Sequence, residues 1–362
     1  MSRAGVCPGG RRGRFVGMDT AERVLASPRG RRFAAHLGYA CSTDERASNY
    51  REPLTRADAL DVLAAVDAQA VARLPELDVL DALGRATDFA RYWQPPDEED
   101  LWFADPAIVT ASSPIVEAVL ACEHARWWSA PMDPTCQRAV QKRYPSTDKW
   151  SETFWNNQDQ DADLIAWRQH VLDDEDRFRR FLDAEPERKI SGEWWSTPVP
   201  SRVRVTSRAR QNLGAVELLL AEDDISDGRR ARVWPVRVDD AARVYEITGP
   251  DAWTHLVGAY PLAVPASRRS DWYEATGEHL QWYLPDWAAV SADYDAVHLT
   301  VLGYLTTAGL ALPLTTHTGA SVLAGWDPDA TFWLDPRLVR VDGRPVEWQR
   351  TGDTPWAPAP VR

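Results

Sequence analysis

Apolar residues recur at helical spacing through the first half of the chain and at alternate positions through much of the second. Over 56–74, Leu60, Leu63, Val66, Ala70 and Leu74 fall three or four apart on one face. Thr55, with Asp58 three residues on, predicts a capping box at its start, with Asp where Glu is usual. Pro75 predicts its end. A second helix is predicted over 76–92, with Leu80, Leu83 and Phe89 inward. The run Pro95-Pro96-Asp97-Glu98-Glu99-Asp100 reads as a turn or linker. Ser113 then caps a helix opening on Pro114, a favoured first position. A shorter helix is expected after Asp133-Pro134. The last long helix spans 161–184, with Leu164, Ile165, Val171, Leu172, Phe178 and Phe181 on its apolar side and acids and arginines opposite.

Beyond about 190 the period changes. Val203-Arg204-Val205 alternates, as does 232–238, and the apolar run 215–221 reads as a central strand. Residues 242–248 read as a strand from which Gly249-Pro250-Asp251 launches a helix through Val257. Further strands are expected at 281–284 and 296–301. Two more, at 320–326 and 330–334, are joined by Asp327-Pro328-Asp329. Asp342-Gly343, inside 338–348, is a strong hairpin signal. The pattern therefore predicts an α+β fold, with a helical N-terminal half packed on a mixed or antiparallel-sheet C-terminal half. The expected boundaries are a flexible tail at 1–17, an α-helical domain at 18–189 and an α+β domain at 190–362.

Composition narrows the partners. The chain has 362 residues and a net charge of −13. The first 17 residues contribute four arginines and no acid, so the remainder is more acidic still. Such a surface argues against duplex nucleic acid or an anionic membrane as partner. No apolar run is long enough for a membrane span, and no secretory signal core is present. The four cysteines, Cys7, Cys41, Cys122 and Cys136, show no metal-binding spacing and point to a reducing cytoplasm. Only three basic residues are lysine, a high-GC genome bias rather than an arginine-specific surface.

The P-loop, the G-x-G-x-x-G dinucleotide turn, H-E-x-x-H and G-x-S-x-G are all absent. Acids cluster at Asp159, Asp161, Asp163 and 173–176, with His170 one helical turn before Asp174. The expectation there is a solvated acidic face, as it is for Asp223-Asp224, and no metal site is assigned. The 18 tryptophans begin only at Trp93 and divide nine and nine about residue 200. The pairs Trp127-Trp128 and Trp194-Trp195 should each turn one ring to the core and one to a surface or interface.

Residues 242–334 are the richest stretch. They hold Arg243-Val244-Tyr245-Glu246-Ile247, Gly249-Pro250-Asp251-Ala252-Trp253 and Pro285-Asp286-Trp287. Then come Tyr294-Asp295-Ala296-Val297-His298-Leu299, Gly325-Trp326-Asp327 and Phe332-Trp333-Leu334. This order resembles that in a group of high-GC bacterial proteins whose C-terminal halves are similar to the ADP-ribosyltransferase-like fold. The likeness covers about 240–335. It implies a split α+β fold cradling a nicotinamide dinucleotide. It also implies an Arg or His on an early strand, a Ser or Tyr on a second, and a late Glu beside an oxocarbenium-like transition state. Arg243 or Tyr245 matches the first role. No Ser-Thr-Ser stands at the second, where His298 and Thr300 lie nearest. Asp327 is the only acid on the final turn.

The expected site lies where the two halves meet. Tyr245, Glu246, His298 and Asp327 are its catalytic candidates. Arg243, Arg268, Trp287 and Trp326 are its ligand-binding candidates. Arg268 offers a guanidinium fork for phosphate or carboxylate. NAD is the candidate cofactor and a small molecule the expected ligand. Three functions remain open. They are a transferase or hydrolase at a glycosidic bond, a tryptophan-lined cyclase or transferase on an apolar or cationic substrate, and a non-catalytic binding protein.

Overall fold

Side-chain oxygens that satisfy orphan N–H groups start most of the early helices. The computed structural model describes residues 17–44, 47, 54–143, 150, 154–155, 163–198, 203–222, 229–352 and 355–360. The expected tail, apart from Gly17, lies outside these residues, as do Asp159, Asp161 and Asp223-Asp224. Asp19 and Glu22 form a capping box on α1 (Thr20–Ala26), and Ser27 caps α2 (Pro28–Cys41). The Thr55–Asp58 box opens α3 (Arg56–Ala64) as the sequence predicts. The helix does not run to 74. Asp67 accepts the Gln69 N–H and starts a separate α4 (Ala68–Ala72). Next come α5 (Glu76–Asp88) and α6 (Glu98–Phe103), the latter capped by Asp97 inside the expected linker.

Two helix expectations fail. Ser113 caps nothing: α7 (Pro106–Ala121) starts eight residues earlier, behind Asp105-Pro106, and carries Pro114 inside it. Both Asp-Pro and Ser-Pro read as starts, and the side chain that meets a free N–H is Asp105, bonded to Ala107. No helix follows Asp133-Pro134. Instead β1 (Gln137–Arg143) enters the sheet.

The long helix α8 (Leu164–Ala184) forms, but its inward face differs. Leu164, Val171 and Phe178 are buried with Trp167, Asp174 and Glu175, while Ile165 is 71% exposed and Leu172 and Phe181 also face solvent. The backbone N–H groups of Ala266 and Ser267 draw Glu175 inward, each at 2.8 Å. A buried carboxylate is tolerable when such donors replace water.

The strands continue as β2 (Arg204–Arg210), β3 (Gly214–Ala215), β4 (Arg230–Val238) and β5 (Val244–Ile247). After these, α9 (Pro250–Ala259), β6 (Pro261–Ala263), α10 (Arg269–Thr276), β7 (Tyr283–Pro285) and α11 (Trp287–Val290) lead to β8 (Ala296–Leu299). The chain closes through α12 (Val301–Thr307), β9 (Leu312–Pro313), β10 (Ala320–Ser321), β11 (Ala330–Trp333), β12 (Val339–Val341), β13 (Val346–Gln349) and β14 (Ala357–Pro358). The architecture is α+β, as the sequence predicts.

The main sheet runs β14-β13-β4-β1-β2-β11-β8-β5, with β12 also on β4 and β3 on β2. Every pairing is antiparallel except β5 with β8. Three strand expectations change. Of the apolar run 215–221 only Ala215 is in a strand, and Val216–Leu218 is a 3-10 turn, because an apolar run alone does not separate strand from other buried backbone. Of the two strands expected around Asp327-Pro328-Asp329, the second forms as β11, but the first shrinks to the two residues of β10. β10 pairs β9, and β11 pairs β2 and β8. Nor does Asp342-Gly343 make a hairpin. β12 and β13 both run antiparallel to β4 along the same edge, with Val341 opposite Val236 and Val346 opposite Val233. Two extra residues bulge out there, with Gly343 at φ +91°.

Strand alternation gives the sheet two faces. Ile247, Val297, Leu299 and Phe332 join the helices in one large core that extends from Ala21 to Leu334. Ala139, Val236, Ala296 and Trp333 lie in a smaller cluster with Met132.

Candidate functional site

The parallel register of β5 on β8 sets Glu246 directly beside His298. Tyr245, Val297 and Leu299 turn to the opposite face. Glu246 Oε2 lies 2.6 Å from His298 Nδ1, and its Oε1 accepts the Met132 N–H at 2.9 Å. On the other side, His298 Nε2 is 3.4 Å from Asp329 Oδ1. Arg208 then grips Asp329 twice, through its backbone N–H at 2.8 Å and through Nε at 3.1 Å. The Arg208 guanidinium also donates to the Pro131 carbonyl and sits 5.3 Å from the Trp127 ring centre.

The result is an ion chain, Glu246–His298–Asp329–Arg208, laid across neighbouring strands. His298 is fully buried, whereas the Glu246 side chain is 25% exposed and forms the rim. Burial by itself would lower the His298 pKa. The bonds to Asp329 and Glu246 outweigh it and push the value up to about 9. At neutral pH the ring is an imidazolium between two carboxylates. It fixes the orientation of the partly exposed Glu246 carboxylate.

Asp329 and Arg208 were not among the sequence candidates. The Asp-Pro-Asp turn was singled out, but through its first acid. Asp329 adopts φ +61°, a left-handed conformation that Asp tolerates, and this aims it back at β2 and β8. Asp327 points elsewhere. Its Oδ1 accepts the Glu222 N–H at 2.7 Å, in a second buried cluster with Tyr92, Tyr304 and Arg29. Burial first, then the Asp327 charge, pushes the Glu222 carboxyl up to about 8.

The remaining candidates disperse. Tyr245 donates to the Ala252 carbonyl at 2.7 Å and meets Tyr294 edge-on, and burial first, then Tyr294, pushes its hydroxyl up to about 12. Arg243 lies on the surface in a two-pronged pair with Asp295, at 2.8 and 3.0 Å. Arg268 is fully buried. Its Nη2 reaches Glu193 at 3.5 Å and the Trp195 carbonyl at 3.3 Å.

Trp287 and Trp326 pack on each other inside the core, 5.7 Å between ring centres, and donate to the Ser196 and Ala330 carbonyls. Of the paired tryptophans, Trp127 and Trp128 are both buried, which corrects the one-in, one-out expectation. Trp128 packs on Phe33 of α2 within the first half, whereas Trp194 of the second half packs on Tyr92 and Trp93 of the first.

An open groove of about 620 Å³ lies elsewhere, between α8 and the 265–269 and 279–281 segments. Glu175, Arg179, Asp183, Arg269, His279 and Thr318 are in its wall, and no tryptophan is. Among the described residues, no helix is long and apolar enough to cross a membrane. No family model, curated protein or solved structure matches the chain.

Proposed function

We propose that the chain is an enzyme acting on a small molecule, with Glu246 as the group that meets the reacting carbon. One observation carries this reading: a partly exposed carboxylate locked onto a buried imidazolium, which is itself held by Asp329 and Arg208. A fixed carboxylate of this kind stabilises developing positive charge without reorganising. The matching chemistry is cleavage of a glycosidic bond. The leaving group departs with the bonding pair, the sugar carbon becomes cationic beside Glu246, and water or another acceptor attacks and gives its proton to the carboxylate.

The sequence resemblance brings forward a nicotinamide dinucleotide as substrate. Free thiols at Cys41, Cys122 and Cys136 support a reducing, cytoplasmic setting. The test is nicotinamide release from NAD. The wild-type chain should release it, and Glu246→Gln should lower the rate 10²–10³-fold, the usual cost of removing one such stabiliser. No release, together with no thermal shift at millimolar NAD, overturns the substrate assignment.

A binding role is the second reading. The observation favouring it is that both Glu246 oxygens already accept hydrogen bonds, while an open groove with charged residues in its wall lies elsewhere. On that reading Glu246→Gln changes stability, and ligand affinity follows Arg269 and His279 instead.

A further inference from the structure

His170, on α8, lies one helical turn before Asp174, and the irregular 190–198 segment brings Glu193 up to both. The Gly192 N–H donates to Asp271, and the Trp194 carbonyl accepts from Trp272, so Glu193 is held on anchored backbone. His170 Nε2 is 3.0 Å from Glu193 Oε1 and 3.7 Å from Asp174 Oδ2. One ligand atom from each of the three residues falls within 4.8 Å of the others. Bonds of 2.0–2.1 Å at tetrahedral angles put donor atoms ~3.3 Å apart, and the two distances to Nε2 bracket that value.

The outer oxygens of both carboxylates are already taken. Arg177 binds Asp174 through Oδ1 at 2.9 Å, and Arg268 reaches Glu193 through Oε2 at 3.5 Å. Each arginine therefore turns the other oxygen, Oδ2 or Oε1, toward the imidazole. Holding ligands from behind in this way is what outer-sphere partners do in metal sites.

We propose that His170, Asp174 and Glu193 form a binding site for a first-row divalent cation, Zn²⁺ by preference, with its remaining positions open to water. One imidazole and two carboxylates suit zinc, whereas magnesium favours oxygen donors alone. His170 is about half exposed, so the ion has a path in. Binding replaces the His170–Glu193 hydrogen bond and pins α8 to the 190–198 segment. The site is separate from Glu246 and stands or falls independently of the proposed reaction.

The experiment is calorimetric titration of the metal-stripped full-length chain with Zn²⁺, with the visible spectrum of the Co²⁺ form as second readout. One ion per chain should bind, and a tetrahedral Co²⁺ spectrum should appear. His170→Ala should weaken binding at least tenfold and abolish that spectrum, while His255→Ala, at another exposed histidine, should change neither. Glu193→Gln should weaken binding with His170 intact. Absence of Zn²⁺ binding by the wild-type chain overturns the proposal, and so does binding that His170→Ala leaves unchanged.

Discussion

Titrating His298 should destabilise the chain as pH rises, by an amount the site geometry sets. The ring is held protonated up to about pH 9 by Asp329 and Glu246 against the cost of burial. In the unfolded chain a histidine releases its proton near pH 6.5. Between those values the folded state keeps a proton that the unfolded state has lost. Stability therefore falls by about 1.4 kcal/mol per pH unit, and by about 3 kcal/mol over the whole window. The contribution is fully present below pH 6.5 and gone above pH 9.

The assay is urea unfolding followed by tryptophan fluorescence from pH 6 to 9.5, on the wild type and on His298→Gln. The difference between the two is the quantity to read, because Glu222 also titrates within this range. The wild type should lead at pH 6, and its lead should shrink steadily toward pH 9. A lead that stays constant, or grows with pH, refutes the ion-chain account.

Two further predictions concern other parts of the fold. Glu222, held protonated up to about pH 8 against an ordinary value near 4.5, costs the folded state increasingly as pH climbs between those limits. Glu222→Gln should therefore gain on the wild type from pH 5 to pH 8 in the same unfolding assay. Gly303 lies in α12 where an added Cβ would stand 2.2 Å from the Ile247 carbonyl oxygen. Gly303→Ala should destabilise by about 1–3 kcal/mol, the usual cost of overpacking, and a thermal midpoint equal to wild type would contradict the close approach.

Features that depend on a few neighbouring residues were legible in the sequence. The Thr55–Asp58 box, the helix launched by Gly249-Pro250 and the strands around Val205 and Tyr245 all form. Alternation also told that His298 faces away from Val297 and Leu299. What it could not give is register. Glu246 meets His298 because β5 pairs with β8 in parallel, and Arg208 meets Asp329 because β11 lies against β2. Those alignments join residues tens to more than a hundred positions apart, and no local pattern carries them. The acids of α8 misled for a related reason. Asp174 and Glu175 look solvated in sequence, but backbone donors some ninety residues away hold Glu175 inside, and Asp174 is buried beside it with Arg177 of its own helix. Glu193 joins His170 through the same long-range placement.

The position of β1 bears on how the chain assembles during synthesis. This strand leaves the ribosome more than sixty residues ahead of β2, yet it closes the middle of the sheet, between β2 and β4. Until both partners emerge, its backbone donors and acceptors have only water or other chains to bond. Such delayed pairing slows folding and leaves a strand edge open to misassociation. A fragment beginning near residue 190 would lack the strand and present two bare edges, on β2 and β4, in place of a continuous sheet. Seven residues from the first half of the chain thus complete a sheet otherwise built from the second.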